Sequence, residues 1–102
     1  MKVIVLSSGS KGNTTYIESG DTKILIDIGN SCKYVKDKLD IIGVDAKDID
    51  AIFLTHTHVD HIKGLKVFTK RFGTKVYLTK GMLEDLDYLE NYSIIDNKII
   101  EL

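Results

Sequence analysis

The chain has 102 residues, 43% hydrophobic and 28% charged, with a formal net charge of −1. That length suits one small domain with a real core, and the near-neutral balance argues against a whole-molecule nucleic-acid or membrane-surface binder, which would be strongly basic. The lone Cys32 excludes an internal disulfide and a four-cysteine zinc site, and the apolar run Val3-Ile4-Val5-Leu6 is too short for a signal peptide or a bilayer span, so the expectation is a reducing, cytoplasmic setting without membrane contact.

In chain order, residues 2–6 are a β-branched apolar run and predict a strand buried on both faces. Residues 7–13, Ser-Ser-Gly-Ser-Lys-Gly-Asn, are loop by composition. Residues 14–18 and 23–27 read as strands, and Ser19-Gly20-Asp21-Thr22 between them supplies turn chemistry for a hairpin. Ser31 is placed to cap a helix over residues 32–42, with Val35, Leu39 and Ile42 on one stripe and Gly43 at its stop. Residues 51–54 read as a buried strand and residues 62–72 as a second helix, with Ile62, Leu65, Phe68 and Phe72 on one face. Residues 75–78 are a further strand. Thr79 then caps a third helix holding Met82, Leu83, Leu86 and Leu89, and Ile94-Ile95 and Ile99-Ile100 flank a turn at Asp96-Asn97-Lys98. The pattern predicts one α/β unit over residues 1–102, a mixed sheet covered by helices. A sheet whose last strand ends at Leu102 leaves an open edge that needs a partner.

Chemistry concentrates in Thr55-His56-Thr57-His58-Val59-Asp60-His61, at the junction of a buried strand and a helix. All three histidines of the chain lie within these six residues 56–61. Imidazoles and a carboxylate are the borderline ligands that zinc, manganese or iron accept. In extended backbone His56 and His58 point the same way, and the following turn can swing Asp60 and His61 toward a second position. The spacing therefore suits two metal ions sharing one loop. The competing reading is a polar junction with Asp60 as a helix cap, which would not need three imidazoles. Three weaker signals remain. The Gly/Ser loop could form a backbone anion nest. Lys63, Lys66, Lys70, Arg71, Lys75 and Lys80 lie between His61 and Leu83 with no acid among them, a basic stretch beside the loop that would draw a phosphate-bearing substrate or present a solvated helix face. Cys32 could be a soft ligand, although a lone cysteine near a helix start is more often packing.

His56-x-His58-x-Asp60-His61 resembles the HxHxDH signature of the metallo-β-lactamase-fold hydrolases. Asp27, ending Lys-Ile-Leu-Ile-Asp-Ile-Gly, is similar to that superfamily's first aspartate, and Ser8-Gly9-Ser10-Lys11-Gly12-Asn13 resembles the SGSxGN loop of its YycJ/WalJ-type branch. The resemblance implies two divalent metal ions, zinc foremost with manganese or iron as substitutes. His56 and His58 would hold the first, and Asp60 and His61 the second and the reacting side. Asp27 would orient the loop from behind, and Ser10 and Asn13 would meet the substrate. It further implies hydrolysis by a metal-bound hydroxide, with a phosphodiester substrate such as DNA ends attacked by an exonuclease. Lactones, thioesters and β-lactams are other substrates of the fold. The family completes its site with two more histidines and a bridging aspartate, and its αββα sandwich has two β/α halves. With three histidines in all, this chain is expected to be the N-terminal half of that fold, inactive alone and completed by a C-terminal half or a second copy. The alternative is a non-catalytic metal-binding half-domain or assembly partner.

Overall fold

The computed structural model describes residues 1–96. Strands β1 (Lys2–Ser7), β2 (Thr14–Ser19) and β3 (Thr22–Ile26) form an antiparallel meander, and β2 and β3 are joined by a two-residue turn in which Ser19 faces Thr22. The chain then alternates helix and strand: α1 (Cys32–Ile41), β4 (Ala51–Phe53), α2 (Val59–Ile62), α3 (Leu65–Phe72), β5 (Lys75–Leu78), α4 (Lys80–Leu83) and β6 (Tyr92–Ile94). Strands β4, β5 and β6 each join in parallel, so the six described strands lie in the sheet in sequence order. This is the mixed, helix-covered sheet that the alternation of patterns predicts.

The register sorts the side chains into two faces. The row Ile4, Tyr16, Leu25, Ile52 and Val76 runs across five strands, and all but Ile4 are fully buried. Cys32, Val35 and Leu39 of α1 and Leu65 and Phe68 of α3 belong to the same core. Because strand side chains alternate, the neighbouring row of Val5, Thr15, Ile26, Phe53 and Tyr77 faces the other way. It stays half-buried to exposed, with Val5 62% exposed and the Phe53 and Tyr77 rings stacked at 4.8 Å.

Several expectations change here. The first strand is not buried on both faces: β1 is an edge strand, and its register turns Val3 and Val5 to the open side, where Val3 is 55% exposed. The second helix is broken between Ile62 and Leu65. Gly64 interrupts it by packing against the Asn30 carbonyl and donating its N–H to Ile28 O at 3.0 Å, a contact that a Cβ would block. Ser31 caps α1 as expected, accepting from the Tyr34 N–H at 3.1 Å. The third helix is one turn only. Beyond Leu83 the chain continues in tighter turns, Leu86 N to Leu83 O and Leu89 N to Leu86 O, which still bury Leu86 and Leu89. Ile94 ends β6, while the expected strand at Ile99-Ile100 lies outside the described residues.

Candidate metal centre

Asp27 organises the site from below. It follows β3 with a φ of 63°, a left-handed conformation that aspartate tolerates better than most residues. Its N–H continues the parallel ladder onto Phe53 O at 2.9 Å. The turn aims a carboxylate that is only 4% exposed at the end of β4. Its Oδ1 accepts the Thr55 N–H at 2.8 Å. Its Oδ2 accepts the Thr55 hydroxyl at 2.5 Å and faces His61 Nδ1 at 2.7 Å. An ionised carboxylate only accepts, so Nδ1 of His61 carries its proton and donates, which leaves the lone pair on Nε2.

The histidine loop leaves β4 through Thr55 and enters α2 at Val59, with His58 at the N-cap. His56 Nδ1 lies 3.1 Å from Thr55 Oγ1. The ring centroid of His56 is 4.8 Å from that of His61 and 6.0 Å from that of His58. Thr57 reaches the other way, donating its hydroxyl to Asp85 Oδ2 at 2.9 Å. Asp60 lies in the first turn of α2, and its Oδ2 is 3.7 Å from His61 Nε2. It is not the helix cap of the competing reading.

The Gly/Ser loop grips this turn from the side. The Asn13 N–H donates to Asp60 O at 2.7 Å. The Asn13 side-chain amide donates to Gly9 O at 3.2 Å, and to Asp60 O and Asp60 Oδ2 at 3.3 Å each. Gly29 closes the contact, donating its N–H to Asn13 O at 3.0 Å. A Cβ on Gly29 would overlap both the Asp60 carbonyl and the Asn13 nitrogen. Of the two loop residues expected to meet a substrate, Asn13 is turned onto Asp60, and Ser10 is exposed in the turn Gly9–Lys11.

Asp60 and His61 have the spacing of two ligands to one cation. Two ligands about 2.1 Å from one tetrahedral ion stand roughly 3.4 Å apart, close to the 3.7 Å between Asp60 Oδ2 and His61 Nε2. Among the described residues no group of three or more His, Cys, Asp or Glu converges tightly enough to hold an ion. Cys32 is not part of the set. It is buried in the core, and burial pushes its thiol above the ordinary range, so the thiolate that a metal needs is disfavoured. Lys63, Lys66, Lys70 and Arg71 are exposed along the α2–α3 segment, with Lys66 Nζ 5.6 Å from the Tyr88 ring and Arg71 5.3 Å from that of Phe72. Sequence reading missed Thr55, Gly29 and Asp85. Thr55 borders the first histidine and Gly29 follows Asp27 by two residues, so adjacency was a usable signal for both; nothing local marked Asp85.

A family model described as the Metallo-beta-lactamase superfamily matches residues 8–91. The Exodeoxyribonuclease WalJ of Streptococcus pneumoniae serotype 2 is 36% identical over 104 residues, covering 99% of this chain and 39% of the relative. The Exodeoxyribonuclease YycJ of Bacillus anthracis is 33% identical over 96 residues, covering 94% and 36%. The chain thus spans well under half the length of these relatives. BJP-1, a subclass B3 metallo-beta-lactamase of Bradyrhizobium japonicum, superposes with a TM-score of 0.63 at 24% identity over 87% of this chain and 39% of that one, so the architecture is shared.

Proposed function

The chain belongs to the metallo-beta-lactamase superfamily, and from that membership we propose that it carries the first part of a two-cation hydrolase centre acting on phosphodiesters, with DNA ends as the substrate class. One observation carries this reading: a buried carboxylate, Asp27, grips His61 Nδ1 at 2.7 Å and the Thr55 N–H at 2.8 Å, at the root of a loop in which His56 and His58 are exposed and Asp60 and His61 half-buried. Outer carboxylates that orient histidines in this way are the usual support of metal ligands. His56 and His58 would hold one cation, and Asp60 and His61 the other. Bound cations supply Lewis acidity and a water acidified to a pKa of about 7. The chain's own residues supply position: Asp27 turns His61 Nε2 outward, and Asn13 holds the Asp60 carboxylate on the reacting side. The exonuclease relatives and the exposed lysines along the α2–α3 segment favour a phosphate-bearing substrate over a lactone, thioester or β-lactam.

A second reading, a metal-binding half-domain without catalysis, is favoured because among the described residues no group of three or more His, Cys, Asp or Glu could hold an ion, while catalytic zinc normally has three protein ligands plus water. The test is a panel on the zinc- and manganese-loaded chain extended by a C-terminal half that completes the centre: end-labelled duplex DNA and an activated phosphodiester beside a lactone, a thioester and a β-lactam, with His58→Ala as blank. Phosphodiester turnover lost in the blank is the expected result. Turnover of only the other three rejects the phosphodiester reading, and metal uptake with no turnover selects the half-domain.

A further inference from the structure

Thr55 Oγ1 has one proton and two claimants. It lies 2.5 Å from Asp27 Oδ2 and 3.1 Å from His56 Nδ1. A hydroxyl bonded to a carboxylate at that length is a charge-assisted donor, roughly twice as strong as a bond between neutral groups. The proton therefore goes to Asp27, and toward His56 the hydroxyl has only lone pairs to offer. His56 must then donate from Nδ1, which leaves its acceptor lone pair on Nε2. The same oxygen also lies 3.4 Å from His61 Nδ1, a longer second branch of the bond from His61 to Asp27.

We propose that Thr55 is a positioning residue that relays the Asp27 carboxylate to His56 and sets that ring's tautomer, as Asp27 does for His61 directly. One buried carboxylate thus prepares Nε2 on one histidine of each cation pair, through its own oxygen in one case and through a threonine hydroxyl in the other. The inference rests on the metal-centre reading for its purpose but not for its geometry. Threonine is suited to the task because its backbone N–H is simultaneously tied to Asp27 Oδ1, which anchors the hydroxyl on the side of Oδ2.

The experiment compares the full chain with Thr55→Val, which has nearly the same shape and no hydroxyl, and with Thr55→Ser, which keeps the hydroxyl. Ring nitrogen NMR of the metal-free chain, taken up in pH until the ring signals stop changing, reads each tautomer. The wild type and Thr55→Ser are expected to carry the His56 proton on Nδ1, the less common form of free imidazole. Thr55→Val is expected to shift it toward Nε2. Zinc titration is expected to show about 10–100-fold weaker binding in Thr55→Val, restored in Thr55→Ser. Thr55→Ala repeats both readouts should the valine methyls disturb the loop, and amide spectra identify the folded variants. An unchanged His56 tautomer or zinc affinity without the hydroxyl, or no rescue by serine, overturns the proposal. If the wild type takes up no zinc, the metal-centre reading falls, and the tautomer in the metal-free chain alone decides the role of Thr55.

Discussion

Gly29→Ala tests how the site is held, because the perturbation is one methyl in a place where only backbone surrounds it. A Cβ at Gly29 would overlap the Asp60 carbonyl oxygen and the Asn13 nitrogen, the two atoms of the 2.7 Å bond that ties the Gly/Ser loop to the metal turn. Neither atom belongs to a flexible side chain that could rotate away. Overpacking of this kind costs about 1–3 kcal/mol, and loss of the Asn13–Asp60 bond adds about 0.5–1.5 kcal/mol. The sum is about 1.5–4.5 kcal/mol, which for a chain of this size lowers the melting temperature by roughly 6 °C or more. Gly81→Ala is the control: it lies in α4 with no heavy atom within 4 Å of its Cβ, so it should be neutral or stabilising by up to about 1 kcal/mol. Thermal and urea unfolding of both variants, with zinc titration of the folded protein, measure the difference. A Gly29→Ala variant as stable as Gly81→Ala and binding zinc like the wild type would refute the backbone clamp.

Three further outcomes follow from the same contacts. Asp27→Asn keeps an oxygen for the Thr55 N–H but turns an amide N–H toward His61 Nδ1, which must then accept and move its proton to Nε2. The amide cannot flip without opposing two N–H donors, so zinc binding should weaken about 10–100-fold by calorimetric titration, and an unchanged affinity would refute the tautomer argument. Asn13→Ala removes the amide that bonds Asp60 O and Oδ2 and should cost about 1 kcal/mol in urea unfolding while lowering zinc affinity no further in an Asp60→Ala background. Tyr16 is buried and donates to Glu18 at 2.6 Å, and burial first, then this bond, raises its hydroxyl above the ordinary 10.0. A raised folded-state value means that stability is fully present below pH 10 and falls as pH rises beyond it. Tyr16→Phe should therefore flatten the alkaline loss relative to the wild type, and parallel curves would contradict this.

Local pattern made much of the fold legible. The stripe Val35, Leu39, with Ser31 ahead of it, announced α1, and the turn residues between two apolar runs announced the β2–β3 hairpin. The histidine cluster announced itself by spacing. What stayed hidden depends on contacts between distant residues. A β-branched run looks the same whether its sheet is covered on one face or on both, and only the assembled sheet shows that Val3 and Val5 lie on the open face. The apolar spacing of Met82, Leu83, Leu86 and Leu89 fits a helix, yet Asp85 leaves the pattern to accept from Thr57, 28 residues earlier. Asn13 read as a loop residue, and nothing near it in sequence revealed its bonds to Asp60, 47 residues on.

These contacts separate two properties that sequence motifs merge: how ligands are oriented, and how many there are. Every bond described here that orients the histidine loop comes from within residues 9–85: the carbonyl of Gly9, the amides of Asn13 and Gly29, the carboxylates of Asp27 and Asp85, and the Thr55 hydroxyl. In the reading proposed above, His56 with His58 and Asp60 with His61 would give each cation two donors, where catalytic zinc takes three and a water. The sheet shows the same split: one face is sealed by α1 and α3, and the other presents Val5, Ile26, Phe53 and Tyr77 half-buried or exposed. A preformed but underfilled centre has a definite consequence. Zinc binding by this chain should be weak yet cost little structural change, so saturating zinc should leave the amide spectrum of α1 and β1–β3 in place and shift residues 55–61. A spectrum reorganised throughout by zinc would mean that the metal builds the loop, and that the clamp of Asn13, Asp27 and Gly29 does not.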